Sequence, residues 1–202
     1  MEKQNINTRE YWNIIYGSPD GFYQDHSAAD WELNHQFIER ALPKTPQRIL
    51  EVACGLGHNA KFAAGLGHSI IATDFSQVAI DANLKRFSDP KILYRCLSLE
   101  DSTDVFRDLD VIMGFEIIEH YRKPLDPLLR IFKALKEGGI FIFSVPTETG
   151  RYGIWSQHYS MWNYQNLGER LFKVGFEEFK IFKTMFSDQS IMGIAYKGVK
   201  ND

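Results

Sequence analysis

The run Ile49-Leu50-Glu51-Val52-Ala53-Cys54-Gly55-Leu56-Gly57-His58-Asn59-Ala60 constrains the fold more than any other part of the chain. Apolar residues lead into an acid, then a glycine-studded turn, then the start of an amphipathic stretch: a strand, a tight loop and a helix. A second acid, Asp74, closes the next apolar run, Ser69 to Thr73. Chains use this arrangement to hold an adenosine-containing cofactor above the ends of parallel strands. Gly55 and Gly57 carry no Cβ, so backbone can approach a ligand closely. The helix beyond them offers free N–H groups and the positive end of a dipole, suited to an anion. Gly55 to Ala60 also fits GxGxxA, which keeps a nicotinamide dinucleotide open as the ligand. Glu51 weighs the other way, because an acid at the strand end opposes a pyrophosphate and suits an ammonium or a sulfonium.

The remainder alternates in the same manner. Arg48 to Val52 is the first expected core strand, and the helix from Gly57 carries Ala60, Phe62, Ala63 and Leu66. A second strand ends at Thr73. A helix with Val78, Ala79, Ala82 and Phe87 follows, then a third strand over Lys91 to Arg95 and a fourth over Leu109 to Phe115. Leu125, Leu128, Leu129, Phe132 and Leu135 predict one helical face, stopped at Gly138-Gly139. Ile140 to Val145 is apolar almost throughout, as a strand buried on both faces should be. A last helix is expected over about Tyr164 to Val174. Two strands close the chain, near Phe176 to Thr184 and Ile191 to Lys197, with no helix between them and hence antiparallel at a sheet edge. Such alternation implies an open α/β sheet with right-handed crossovers.

Before the first strand, the chain is rich in aromatic residues, with Thr8 set to start a helix at Arg9-Glu10-Tyr11-Trp12. Residues 1–44 are expected as a helical cap or lid and 45–202 as the cofactor-binding core, together one structural domain. Two cysteines, Cys54 and Cys96, show neither metal spacing nor a disulfide framework. The polar N-terminus lacks the apolar core of a signal peptide, and no run approaches the ~20 apolar residues of a membrane span. A cytoplasmic protein without membrane insertion is therefore expected. A net charge of −3 gives no general attraction to nucleic acid.

Glu51-Val52-Ala53-Cys54-Gly55-Leu56-Gly57 resembles motif I, D/E-x-G-x-G-x-G, of the Rossmann-like S-adenosylmethionine-dependent methyltransferases. The resemblance extends over roughly residues 45 to 197 and takes in Asp74, the segment Asp110 to His120, the Leu135 to Gly139 turn and the closing hairpin. It implies the family's Rossmann-like, mostly parallel seven-stranded sheet with helices on both faces and an antiparallel last strand. It also implies roles: Gly55 and Gly57 pass beneath the cofactor, Glu51 organises its amino group, and Asp74 takes both ribose hydroxyls. Phe75 lies against the adenine, Leu99, Glu100 and Asp101 match the adenine-edge segment, and the Phe115 backbone approaches the methionine part. For Leu99 and Phe115 a plain core role is an equal alternative. Two departures stand out: Ala53 replaces the first motif glycine, tolerable if its φ is negative, and Ser98 occupies a position where many relatives have an acid.

Methyl transfer to a hydroxyl also needs a proton acceptor or a metal, whereas a neutral amine needs less. Glu116-Ile117-Ile118-Glu119-His120 offers acids at i and i+3 and an imidazole at i+4. It resembles the ExxEH segment of ubiquinone-pathway O-methyltransferases and of RNA 3′-end ribose methyltransferases. In some of these the segment, with a later histidine, holds a divalent ion against the acceptor hydroxyls, and His158 is the candidate for that later ligand here. The candidate catalytic residues are accordingly His120, His158 and Glu119, with a divalent ion such as Mg as an open alternative to a metal-free base. Tyr11, Trp12 and Tyr16, with Tyr152, Trp155, Tyr159 and Trp162 of a second aromatic segment, are candidates to close over the sulfonium and acceptor. Tyr11, Trp12, His158 and Tyr159 are those expected to touch the site directly, although ordinary packing accounts for most of the aromatic residues. The expected activity is methylation of a small-molecule acceptor, at oxygen before nitrogen. A nicotinamide-dependent oxidoreductase and a non-catalytic methyltransferase-like binding module are the competing functions, and the oligomeric state stays open.

Overall fold

The computed structural model describes residues 7–18, 28–147, 158–160, 162–183 and 190–199. Seven strands form a sheet in the order β3-β2-β1-β4-β5-β7-β6: β1 (Arg48–Val52), β2 (Ser69–Asp74), β3 (Ile92–Cys96), β4 (Leu109–Phe115), β5 (Leu135–Pro146), β6 (Glu178–Lys183) and β7 (Ser190–Tyr196). The α/β sheet is mostly parallel, and β7 runs antiparallel to both β5 and β6. Residues 7–102 form one compact unit, and the chain from Thr103 onward forms another.

In the first unit, β1, β2 and β3 pair in parallel, with Glu51 beside Ala72 and Ala72 beside Tyr94. Ile49, Leu50, Val52, Ile70 and Ala72 are buried, so these strands read as apolar runs. The helices are α1 (Arg9–Gly17), α2 (Ala28–Ala41), α3 (His58–Gly65) and α4 (Gln77–Arg86). Thr8 caps α1 as expected, its hydroxyl accepting from Tyr11 N at 3.2 Å. Helix α1 rests on α4: Ser76, the N-cap of α4, donates its hydroxyl to Asn13 Oδ1 at 2.6 Å. Helix α2 rests on α3 through two stacks, Trp31 on His58 at 4.4 Å and His35 on Phe62 at 4.1 Å. Burial, and secondarily the charge of Arg86, lowers the His58 imidazole to about 4, so this stack forms on a neutral ring. The short helix α5 (Leu99–Val105) follows β3.

In the second unit, β5 is buried without interruption from Ile140 to Pro146. Helix α6 (Leu125–Ala134) ends four residues before the expected glycine stop. Leu135 is already extended, at φ −71° and ψ 142°. Residues 136–139 bulge between the Leu109–Leu135 and Val111–Ile140 pairs, and Gly138 N and Gly139 O bond to Lys197. A Cβ on Gly139 would lie 2.9 Å from Lys136 O and 3.0 Å from Leu109 O, so this glycine serves a close backbone approach and not a helix cap. The apolar face of α6 also differs from expectation: Leu128, Ile131 and Ala134 are buried, whereas Leu129 is 39 % exposed. Helix α7 (Tyr164–Val174) matches its expected limits, with an Asn163–Asn166 capping box and Gly175 at φ 115°.

Among the described residues, no helix is long and apolar enough to cross a membrane.

Candidate functional site

The loop between β1 and α3 is held from below by α4 and by the end of β2. Asp74, 2 % exposed, accepts from Gly55 N at 2.9 Å through one carboxylate oxygen and from Ser76 N at 2.8 Å through the other. Asn83, on α4 and fully buried, donates to Gly55 O at 2.8 Å. A Cβ on Gly57, whose φ is 71°, would lie 2.9 Å from Asn83 Oδ1. On the other side, a Cβ on Gly55 would meet the Tyr16 hydroxyl at 3.1 Å. The two glycines are thus fixed by both conformation and space, and α1 supplies a ring to the loop through Tyr16. Asn83 was absent from the sequence expectation. Its signal was a polar residue four positions after Ala79 on the apolar face of α4, where an unpaired amide would be costly.

Ala53 departs from the condition set for it. Its φ is +52°, in the left-handed region that costs a residue with a Cβ about 1–2 kcal/mol. Ala53 thus holds a backbone conformation that favours glycine. Ala53→Gly is expected to raise stability by about 1 kcal/mol after the added chain entropy of glycine is subtracted. Thermal unfolding would register this as a rise of roughly 2–4 °C, and an unchanged or lower midpoint would count against strain at this residue.

Glu51, 2 % exposed at the end of β1, is the most loaded group of this unit. Burial pushes its carboxyl up to about 8, against bonds from the Asn59 side chain and the Ala60 amide, and the Asp74 charge adds to the rise. Its Oε2 has no hydrogen-bond partner among the described residues. A buried acid of this kind is poised for a cation. Burial also raises Asp74, to about 6, with the two amide bonds opposing the shift.

The remaining candidates of this unit separate. Phe75 is half-buried beside Asp74, with its carbonyl facing Cys96 Sγ at 3.5 Å. Leu99 is 4 % exposed, as a core residue would be, while Glu100 is half-exposed on α5. Ser98 Oγ accepts from Asp101 N at 3.1 Å and so caps the start of α5, which gives this departure from the acidic pattern a structural use. Tyr11 and Trp12 are half-exposed on α1, with Trp12 between Tyr11 at 5.7 Å and Tyr16 at 5.8 Å.

In the second unit, Phe115 ends β4, half-buried, and leads into Glu116 at φ +49°. This strained conformation is held by the Glu116 amide, which donates to Ser144 O at 3.1 Å and Ser144 Oγ at 3.2 Å. Burial raises the Glu116 carboxyl to about 7, opposed by hydrogen bonds from Ser144 and Ser190. The next turn, Ile118–His120, is a 3-10 helix, so Glu119 and His120 are presented by a tighter turn than an α-helix gives. Glu119 is fully buried and raised well above the usual carboxylate range by that burial and by the Glu116 charge. His120 Nε2 lies 3.8 Å from Glu119 Oε1, and the His120 and His158 rings meet edge to face at 5.1 Å. Backbone fixes the approach of His158, since Tyr159 N and Ser160 N donate to Glu119 O at 2.8 and 3.3 Å. Ligand atoms of Glu119, His120 and His158 all fall within 4.8 Å of one another. The three residues expected to act together are brought together, while Tyr152 and Trp155 of the neighbouring aromatic segment lie outside the described residues.

A family model described as a methyltransferase domain matches residues 23–177. A probable S-adenosylmethionine-dependent methyltransferase of Mycolicibacterium smegmatis is 25 % identical over 118 residues, covering 57 % of this chain and 45 % of its own length. The mitochondrial ubiquinone biosynthesis O-methyltransferase of Schizosaccharomyces pombe is 30 % identical over 107 residues, 51 % of this chain and 39 % of its own. The chain thus spans less than half the length of these two relatives. Among solved structures, a SAM-dependent methyltransferase from Archaeoglobus fulgidus superposes with a TM-score of 0.68 at 18 % identity, over 83 % of this chain and 94 % of that one, a likeness of fold.

Proposed function

The chain belongs to the methyltransferase-domain family, and on that premise we propose that it moves the methyl group of S-adenosylmethionine to a small-molecule acceptor, at oxygen before nitrogen. The observation that carries the cofactor assignment is Glu51: a buried carboxyl with one oxygen unpartnered among the described residues, at the loop that Asp74 anchors. An acid so placed opposes a dinucleotide pyrophosphate and suits the ammonium of a methionine moiety. Gly55 and Gly57 leave room for a ligand's close approach, and Asp74 keeps lone pairs for ribose hydroxyls beyond its two amide bonds. Phe75, Leu99, Glu100, Tyr11, Trp12, Tyr16 and the Phe115 backbone complete the proposed cofactor contacts.

When bound, S-adenosylmethionine supplies an activated methyl on a sulfonium, and alignment of an acceptor with it contributes on the order of 7–11 kcal/mol. The preference for oxygen rests on Glu119, His120 and His158. A hydroxyl acceptor must lose its proton, and a cluster of two imidazoles and a buried acid can take it, with Glu119 orienting His120. The likeness to a ubiquinone biosynthesis O-methyltransferase agrees with this choice.

A second reading has an observation of its own. One carboxylate and two imidazoles within 4.8 Å fit a divalent ion, which Glu119, His120 and His158 would hold and which would lower the acceptor hydroxyl's pKa as a Lewis acid.

Calorimetry with S-adenosylmethionine and its demethylated product tests the cofactor assignment. Micromolar binding of both is expected, and absence of binding to either would sink it. The same titration reads Glu51. Its carboxyl sits at about 8 in the free protein, so it is mostly protonated at pH 7, and an incoming ammonium favours the charged form. Close to one proton should be released per cofactor bound at pH 7, seen as a dependence of the heat on buffer ionisation enthalpy. Glu51→Gln should lose that release; an unchanged slope would remove Glu51 from the ammonium site. Cofactor binding without turnover over a broad acceptor panel would favour a non-catalytic module.

A further inference from the structure

The loop between β1 and α3 carries a second orphaned oxygen besides that of Glu51. Asn59 is the second residue of α3 and only 5 % exposed. Its side-chain amide donates to the Glu51 carboxylate, as does the backbone N–H of the next residue, Ala60. The carboxylate is therefore gripped by two donors from a single helical turn. Two acceptors are left: Glu51 Oε2 and Asn59 Oδ1 are both buried and both without a hydrogen-bond partner among the described residues.

Turning the Asn59 amide round does not remove the deficit. Its NH2 end must face the carboxylate, because an amide oxygen there would repel it. The oxygen is thus fixed as an idle acceptor beside a buried acid, where such a group is costly. Both ends of an amide lie on one carbon, so Oδ1 sits close to the carboxylate that the NH2 end bonds. What the two oxygens lack is a pair of donors on one small group, with a positive charge to match the acid. A primary ammonium has three N–H bonds in tetrahedral directions and meets that demand. A sulfonium carries charge but no N–H, and a pyrophosphate brings only further acceptors. Water donates two hydrogens but leaves the charge of an ionised Glu51 uncompensated.

We propose that Asn59 is a second acceptor for the ammonium of the cofactor's methionine part, with Glu51 and Asn59 each taking one of its N–H donors. This deepens the cofactor assignment made above and rests on it. The site then reads the ammonium by its donors as well as by its charge, and the Asn59 amide holds Glu51 in register for both bonds.

The test is calorimetry on the full chain with two ligands: the demethylated product of the cofactor, and its analogue with hydrogen in place of the α-amino group. The wild type should bind the first at least tenfold more tightly. Asn59→Leu, which keeps the volume and loses the amide, should weaken the first about tenfold or more and change the second by less than about twofold. Asn59→Ala, well suited to a helix, should give the same pattern and guards against a loss caused by misfolding. If the variants weaken both ligands equally, Asn59 only shapes the loop; if they weaken neither, the ammonium has other acceptors. Either result overturns the assignment of Asn59. Equal binding of the two ligands by the wild type overturns it as well and leaves methyl transfer standing. Binding of neither ligand removes the cofactor assignment, and Asn59 with it.

Discussion

Replacing His120 or His158 with alanine is expected to reduce turnover by on the order of 10²–10⁴-fold, the usual contribution of a positioned acid or base, while cofactor affinity stays within about twofold. The cause lies in the placement of the pair. His158 is 6 % exposed and its ring packs on that of His120, so neither can be replaced functionally by bulk water at the same position. Glu119 below them is fully buried, with neither carboxylate oxygen hydrogen-bonded among the described residues. Such an acid is costly unless an imidazolium or an ion compensates it. Both accounts predict the loss on mutation, and chelation divides them. Activity that survives exhaustive chelation removes the ion and leaves the imidazoles as the base. Activity abolished by chelation and restored by one divalent ion makes Glu119, His120 and His158 a metal site. If both alanine variants keep full turnover, neither account holds. Because His158 packs in the interior, His158→Gln, which keeps volume and polarity, guards against a loss caused by misfolding.

The sequence made some of this architecture readable for definite physical reasons. Thr8 before Arg9-Glu10 is a local signal read within one turn of chain, and that cap occurs where expected, while the last helix keeps the limits its sequence suggests, Tyr164 to Val174. The closing hairpin followed from length alone, since two strands separated by so few residues leave no space for a crossover helix. Motif I gave the strand, loop and helix, but not the means of support: Asn83 lies 28 residues from Gly55 and Tyr16 lies 39 before it (55 − 16), distances at which sequence carries no register. Backbone conformation was equally hidden. An alanine at position 53 suggested negative φ, yet the fold holds it at +52°, because the neighbouring Cys54 amide is committed to Thr73 O at 2.9 Å and the loop has little freedom to relax. The Leu135 to Gly139 stretch misled for a related reason. Its apolar-charged-glycine order suits a helix end, whereas the Lys197 backbone, 58 residues after Gly139 (197 − 139), draws it into the sheet. The cluster of Glu119, His120 and His158 was legible in its first two members by spacing and in its third only through resemblance.

Asp74→Ala should weaken S-adenosylmethionine by about 1.5–3 kcal/mol, the value of hydrogen bonds to a charged group, or roughly 10- to 150-fold in Kd. Asp74 has two tasks, and the variants can separate them. Its oxygens hold the Gly55 and Ser76 amides, which shape the loop and start α4, and the remaining lone pairs are assigned to the ribose. Alanine removes both functions; Asp74→Asn keeps one acceptor oxygen for an amide and should recover part of the affinity. The pH dependence gives an independent check. Burial raises the carboxyl to about 6, so it is ionised at pH 7 and protonates as the pH falls through 6. Cofactor affinity should therefore decline below about pH 6 in the wild type more than in Asp74→Asn. Stability of the free protein responds in the opposite sense. A carboxyl whose folded value lies above its unfolded value of 3.8 binds more protons when folded, so its contribution to stability rises as the pH falls from about 6 towards 4. The difference between wild type and Asp74→Asn in thermal midpoint should accordingly shift in favour of the wild type over that window, while the difference in cofactor affinity shifts against it. Parallel movement of the two differences would show that Asp74 acts through the loop alone and that the ribose finds its acceptor elsewhere.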